Sequence, residues 1–215
     1  PILYLLAFGY GLGRNLQIGG VDYLDFVMPG IIALTAMSTS FNAAGTKLSV
    51  DRLYYKSFDE ILMSPVSLLS IVLGKGTIGV VRGLGISLCF VLIGLAIAPM
   101  RITPLFVLSL LTTCTVFSFM GVLCALLCKT HQDMATFSSV LILPMTFLGG
   151  TFFSLNHVPE WLRVVLNILP LTHASHCLRA AALGDPFPWL SFLALAAFGA
   201  AFFLACMVVL RKSSI

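Results

Sequence analysis

Residues 141–182, LILPMTFLGGTFFSLNHVPEWLRVVLNILPLTHASHCLRAAA, join a Pro-broken apolar run to two helical segments too short to cross a bilayer. A spanning helix needs about 20 apolar residues at 1.5 Å each, whereas 159–169 and 172–183 would each reach only roughly 17 to 18 Å. Irregular backbone such as Gly149-Gly150 and Pro170-Leu171 is tolerated at membrane depth only where protein or a watery cavity satisfies the freed N–H and C=O groups. The stretch is therefore expected to dip into the membrane and return, a shape that suits a transporter better than an anchor.

Composition agrees with a membrane setting. The 215 residues are 59% hydrophobic and 9% charged, against roughly 45–50% apolar and 25% charged in soluble domains. No polar segment is long enough to fold separately, so residues 1–215 are read as one membrane domain without an attached soluble catalytic domain. The chain opens at Pro1 inside an apolar run of thirteen residues, which reads as a span missing its start. Neither the basic stretch nor the small-residue cleavage site of a signal peptide is visible. Six cysteines lie mostly within apolar runs and form no CxxC pair, so they read as small buried hydrophobes.

Apolar stretches occur at 1–13, 26–46, 69–98, 104–128, 134–153 and 187–210. Six spans is the economical count, giving an all-α polytopic membrane protein with both termini on one side. Lys47, Arg52, Lys56, Lys75, Arg82, Lys129, Arg211 and Lys212 fall on one face, and Arg14, Arg101, Arg163 and Arg179 on the other. The positive-inside rule makes the lysine-bearing face cytoplasmic and places residues 145–186 toward the outer leaflet. The formal net charge of +4 then reflects insertion topology. No aromatic-interleaved basic stripe of the kind that binds single strands is present, so no nucleic-acid partner is expected.

The largest cytoplasmic connection is 47–68, KLSVDRLYYKSFDEILMSPVSL. Tyr54, Tyr55, Phe58, Ile61 and Leu62 recur at three-to-four-residue spacing while Asp51, Arg52, Lys56, Asp59 and Glu60 hold other positions, the pattern of a short amphipathic helix ended by Pro65. Such a helix either lies against lipid headgroups or docks a cytoplasmic protein. In the third span Gly79-x-x-x-Gly83 permits close helix packing, and Arg82 is expected to snorkel to the inner surface. The second span carries Ala33, Thr35, Ala36, Ser38, Thr39, Ser40, Ala43, Ala44 and Gly45, a composition that packs against protein or lines a path.

Several chemistries are missing from the sequence. There is no GxxxxGK[ST], GxSxG or HExxH, so neither nucleotide cradle nor catalytic residue is nominated. His173, His176 and Cys177, with His157 upstream, are the nearest approach to a ligand cluster, but groups at an interface can bond to backbone or water without a metal. No cofactor is expected. All eight carboxylates lie in loops or at span ends, whereas an ion-coupled carrier would often hold one at mid-membrane. Uphill movement of a substrate would thus draw energy from a partner. A secondary carrier and a non-transporting scaffold are the rival readings.

With those residues in view, the chain resembles, end to end, the transmembrane subunit of ABC-2 type exporters, a group of polysaccharide, nodulation-factor and drug permeases. The motifs carrying the resemblance are 56–75, KSFDEILMSPVSLLSIVLGK, and the ILP, GG.FF, PEWL, LPLTH and LRAA elements within 141–182. The resemblance implies six spans per subunit in the inner membrane, a second permease subunit, and nucleotide-binding ATPase subunits docked on the cytoplasmic face. By that analogy residues 52–63 look like a coupling helix, with Arg52, Tyr54, Tyr55, Phe58, Asp59, Glu60 and Leu62 in the docking surface. The segments at 159–169 and 172–183 look like outer re-entrant helices, in which Pro159, Trp161, Pro170, His173 and Arg179 are the residues of interest. His173 stands where relatives often carry Tyr, and an amphipathic helix expected before the first span is missing from this sequence. The cargo, whether lipid, saccharide or drug, is not specified by these motifs.

Overall fold

From Tyr23 to Leu53 the only strong helix breaker is Pro29, which deprives the Asp25 carbonyl of its helical donor near the start but leaves the apolar run after it free to stay helical. The result is one long helix, α2 (Tyr23–Leu53). The computed structural model describes residues 2–12, 17–18, 21–153 and 159–213, with the side chains of residues 8–10, 12, 17, 18, 59, 62, 131 and 213 outside that description. Ahead of α2 come a short α1 (Ile2–Tyr4) that continues as a π-helical stretch (Leu5–Leu12) and a minimal antiparallel hairpin, β1 (Gln17–Ile18) with β2 (Val21–Asp22). Everything else in the described chain is helix or connection.

The remaining boundaries follow from local chemistry. Lys56, at φ 53°, breaks the helical path after α2 and opens α3 (Ser57–Met63). Ser67 accepts a bond from the Ser70 amide at 3.2 Å at the start of α4 (Leu68–Ile97). Thr103 caps α5 (Pro104–Leu127) in the same way, with Pro104 where its missing N–H is harmless. Thr130 and Asp133 form a reciprocal capping box for α6 (His131–Phe137). Helix α6 passes through a π turn, Ser138–Ile142, into α7 (Leu143–Leu148), the Leu143 amide reaching back five residues to the Ser138 carbonyl. Pro144 explains the widening, because its ring would collide with the carbonyl four residues earlier in a regular helix. The chain closes with α8 (Glu160–Asn167), α9 (Pro170–Leu183), stopped by Gly184 at φ 84°, and α10 (Trp189–Ser213).

Among the described residues four helices are long and apolar enough to cross a membrane: α2, α4, α5 and α10. The apolar runs expected to supply two more spans instead form shorter pieces, α1 with its π continuation and the Pro-interrupted α6–α7 path. Their sequences are as apolar as the others, but the π turns interrupt the regular α-helix. Helices α2 and α5 are central, with 78% and 72% of their apolar windows buried, while α4 and α10, at 28% and 17%, present most of their surface outward. Outward side chains such as Leu92, Leu190, Leu193 and Leu204 suit hydrocarbon. Five of the six cysteines are buried and Cys89 is exposed.

Glycine permits the central helices to touch. A Cβ at Gly79 would collide with the Ser118 hydroxyl and come within 2.7 Å of the Ser40 carbonyl oxygen; one at Gly83 would collide with the Ser40 hydroxyl. On α5, a Cβ at Gly121 would strike the backbone of Phe41. Beside these contacts the Ser118 hydroxyl donates to the Gly76 carbonyl at 2.5 Å. By contrast Gly74 and Gly85 face open space, as does the exposed Arg82. Replacing Gly79 or Gly83 by Leu is expected to cost about 1–3 kcal/mol through overpacking, while Gly85→Leu leaves stability unchanged. Thermal unfolding of the purified protein in detergent measures this, and equal midpoints for all three variants would reject the packing argument.

Candidate functional site

Three regions combine polar chemistry with positions that matter to a membrane protein. The first lies along the outward face of α2, where Ser38, Asn42 and Thr46 recur every four residues and so share one stripe. The π turn after α6 brings Ser138 and Ser139 opposite this stripe. Asn42, Thr46, Ser49, Met134, Ala135, Ser138 and Ser139 line an open groove of about 530 Å³. Within it the Ser138 hydroxyl donates to the Asn42 carboxamide oxygen at 3.2 Å, and the Asn42 amide donates to the Ser38 carbonyl at 2.8 Å. Among the described residues no charged side chain lines the groove. Its hydroxyls and carboxamide can exchange hydrogen bonds with a neutral polar ligand or with water, and nothing in it can serve as nucleophile and base.

Sequence reading singled out Ser38 and Thr39 in this helix but missed Asn42, Thr46, Ser138 and Ser139. The signal for the first two was the four-residue repeat of polar groups inside an apolar run. For Ser138 and Ser139 no sequence signal existed, because almost a hundred residues separate them from the stripe they complete.

The second region is the base of the bundle, where α2 meets α3. Asp51, buried, holds Lys47 at 3.0 Å on its own helix and Lys75 of α4 at 2.8 Å. Arg52 directs one guanidinium nitrogen, Nη1, at the carbonyls of Ala125, Leu126 and Cys128, at 3.0, 2.6 and 3.0 Å. Those are the last carbonyls of α5, without helical partners of their own and at the negative end of its dipole. The Ser57 hydroxyl donates to the Asp51 carbonyl at 3.3 Å, and Phe58, 3% exposed, inserts into the core. Helix α3 is thereby tied to the base of α2, which is itself bonded to α4 and α5.

These contacts revise the expected docking surface. Arg52 belongs to the last turn of α2, since the short helix begins only at Ser57, and its guanidinium is spent on α5. Phe58 faces the bundle and is buried in the core, with Ile61 partly buried against it. The outward groups are Tyr54 and Tyr55, 72% and 64% exposed and packed edge to face, together with Glu60 and Met63. The side chains of Asp59 and Leu62 lie outside the described residues.

The third region is the turn that follows α7. Its main chain leaves helical geometry at Gly149, and four successive carbonyls then need donors. The Ser175 hydroxyl donates to Gly149 at 2.9 Å, Arg179 Nη2 to Gly150 at 2.9 Å and Thr151 at 3.4 Å, and the Tyr23 hydroxyl to Phe152 at 3.0 Å. Arg179 also donates from Nε to the Phe26 carbonyl at 3.0 Å and lies 3.7 Å above the Phe26 ring. At Gly30 the turn comes so close that a Cβ would sit 3.0 Å from the Thr151 carbonyl oxygen. The buried guanidinium, donating from Nε and Nη2 to three carbonyls and lying on an aromatic face, thus welds α9, α2 and the turn together.

The other expected residues of this region are spread apart. Pro159 is the exposed cap of α8, Pro170 is buried at the first position of α9, and Trp161 is 69% exposed. His173 Nε2 lies 2.9 Å from the Asn167 carbonyl and its ring packs near Phe198, while Cys177 is buried. His157 lies outside the described residues. Helix α8 has three faces: Leu166 inward, a stripe of Trp161, Val164, Val165 and Ile168 outward, and Glu160, Arg163 and Asn167 between them.

Arg179→Met is expected to strip donors from the Gly150 and Thr151 carbonyls and lower stability by about 2–5 kcal/mol. Arg179→Lys should recover only part of that, because a point ammonium cannot reproduce the planar fork. Thermal midpoints of the three proteins test this; a methionine variant as stable as the parent would rule out the weld.

Comparison with known proteins accords with this architecture. The model of the ABC-2 type transporter family matches residues 1–183. The inner membrane transport permease YadH of Escherichia coli (strain K12) is 28% identical over 216 residues, covering 98% of this chain and 84% of that protein. Nodulation protein J of Rhizobium meliloti (strain 1021) is 28% identical over 195 residues, covering 86% of this chain and 72% of its own. Its counterpart in Neorhizobium galegae is 26% identical over 194 residues, covering 87% and 73%. With a family match across most of its length and apolar helices of spanning length, this chain is a membrane protein that belongs to the ABC-2 type transporter family.

Proposed function

We propose that the chain, as a single membrane domain over residues 1–215, is the permease subunit of an ATP-driven exporter. It pairs with a second permease subunit, identical or not, and receives its energy from separate nucleotide-binding ATPase subunits. The observation that carries this reading is mechanical. The helix forming one wall of the polar groove, α2, is the same helix whose base is joined to α3 by the Ser57 hydroxyl on the Asp51 carbonyl and by the buried Phe58. A force applied to α3 therefore reaches the groove through a continuous rigid element.

In this reading Tyr54, Tyr55, Glu60 and Met63, with Asp59 and Leu62, meet the ATPase at the cytoplasmic face, and Phe58 holds the coupling helix to the bundle. Closure of the ATPase pair shifts α3, α2 follows, and the groove at Asn42 and Ser138 changes its opening. The groove becomes a path when a second subunit covers its open side, which accounts for a carboxamide and hydroxyls on a face that would otherwise meet hydrocarbon. The α1 segment and the α6–α7 path complete six spans, with both termini cytoplasmic in the inner membrane. Helices α8 and α9 are the outer re-entrant pair, and the weld at Arg179 fixes the exit. The cargo is an uncharged lipid-, saccharide- or drug-like molecule, in keeping with the uncharged lining.

Two substitutions separate docking from transmission. Glu60→Lys with Met63→Asp is expected to release a co-purifying Walker-motif ATPase from gently solubilised membranes. Phe58→Ala should instead retain the ATPase and its hydrolysis while export falls at least about tenfold, because a truncated core anchor leaves slack. Retention of the ATPase by the double variant, or unimpaired export by Phe58→Ala, contradicts the proposed coupling. Asn42→Leu is expected to reduce export to a similar degree with the complex intact; normal cargo flux in that variant removes the groove from the path.

A further inference from the structure

On the opposite flank of α6 from the polar groove lies a second one, of about 340 Å³, lined by Leu127, Lys129, Asp133, Thr136, Phe137 and Val140. Its composition changes along its length. Lys129 and Asp133 sit just past the end of α5, at the level where that membrane-length helix leaves the apolar layer. Phe137 and Val140 lie one to two turns further along α6 and its π continuation, roughly 6–11 Å deeper. Leu127 and Val140, 51% and 63% exposed, form open apolar walls. One end of the groove is thus doubly charged and the other is hydrocarbon-like.

The two charges have separate duties. The described ion pairs both belong to Asp51, so among the described residues the Lys129 ammonium and the Asp133 carboxylate form no salt bridge. Asp133 accepts from the backbone amides of Lys129 and Thr130 through Oδ2, both at 2.8 Å, and these bonds hold its carboxyl below the usual carboxylate range. It therefore remains anionic at neutral pH, with Oδ1 available. The Thr130 and Asp133 amides at the start of α6 are already used by the capping box. What remains is one ammonium and one carboxylate oxygen at the mouth of an apolar slot.

We propose that this groove is a binding site for a zwitterionic phospholipid of the surrounding bilayer, a phosphoethanolamine headgroup with one acyl chain in the slot. Charge complementarity selects the headgroup. The phosphate pairs with Lys129, the primary ammonium donates to Asp133, and the chain lies against Leu127, Phe137 and Val140. An anionic headgroup of the phosphoglycerol type would satisfy Lys129 but meet the carboxylate unfavourably. The site abuts α6, whose other flank carries Met134, Ala135 and Ser138 of the polar groove. A resident lipid would therefore brace the outer side of the wall that the cargo path uses.

The test is native mass spectrometry of the full-length protein with phosphatidylethanolamine or phosphatidylglycerol of matched acyl chains. The parent is expected to retain phosphatidylethanolamine at least fivefold better than phosphatidylglycerol. Val140→Trp, which fills the slot without touching the cap, should abolish that retention with the protein still folded by thermal midpoint. Asp133→Asn, whose carboxamide oxygen can still accept from the Lys129 and Thr130 amides, should keep the acyl contact but lose the preference. Equal retention of both lipids by the parent, or unchanged retention in Val140→Trp, overturns the site. So does a co-purifying amphiphile other than a glycerophospholipid that Val140→Trp displaces, since the occupant would then be cargo.

Discussion

In an apolar medium every main-chain N–H and C=O must find its partner within the protein. Regular helix meets that demand by itself, and the four long helices need no further account. The turn at Gly149–Phe152 cannot meet it alone. Its four carbonyls are answered by side chains drawn from α2 and α9, and the strongest donor among them is a guanidinium. The carbonyl dipoles and the Phe26 face hold that cation in place without a carboxylate, and so a charge becomes affordable at a buried position. The irregular turn, the buried Arg179 and the close approach at Gly30 are one solution to one constraint, and none of the three is stable without the others.

The same logic recurs at the opposite end of the bundle. The final carbonyls of α5 lack helical donors, and Arg52 supplies them. Because that arginine is carried by α2, satisfying α5 also fixes the relation between the two central helices. Asp51 extends the connection to α4 through Lys75. A pair of adjacent residues thereby locks three helices at the point where α3 departs. Between these two fastened ends lies the Ser38–Asn42–Thr46 stripe, and α2 is accordingly a rod held at both ends with its polar face between.

Much of this was legible in the sequence because apolar runs of spanning length have few alternatives to helix. The ranges 26–46, 69–98, 104–128 and 187–210 anticipated α2, α4, α5 and α10, and the two short outer segments emerged as α8 and α9. The extent of α2 was underestimated: residues 47–53 carry three charges among apolar positions yet stay helical because Asp51 and Arg52 are satisfied by other helices. The face of each side chain on α3 was beyond reach. Periodicity reports that Phe58 and Tyr55 are apolar positions, but burial depends on where neighbouring helices stand. Arg52 and Arg179 illustrate the general limit, since a basic residue near a span end reads as a surface charge until the carbonyls it serves, as far as 76 and 153 residues away, are brought beside it.

Lys56 has a further consequence. A glycine in the left-handed region sits in a broad well, whereas a residue with a Cβ is confined to a narrow one and carries a cost of about 1 kcal/mol. The bend between α2 and α3 is therefore stiff. A slack joint would absorb displacement as local swivelling, but a stiff one converts a push on the short arm into tilt of the long arm. With Asn42, Thr46 and Ser49 of the groove all within eleven residues of Leu53, a stiff bend at Lys56 sets the angle of α3 against the very part of α2 that lines the groove.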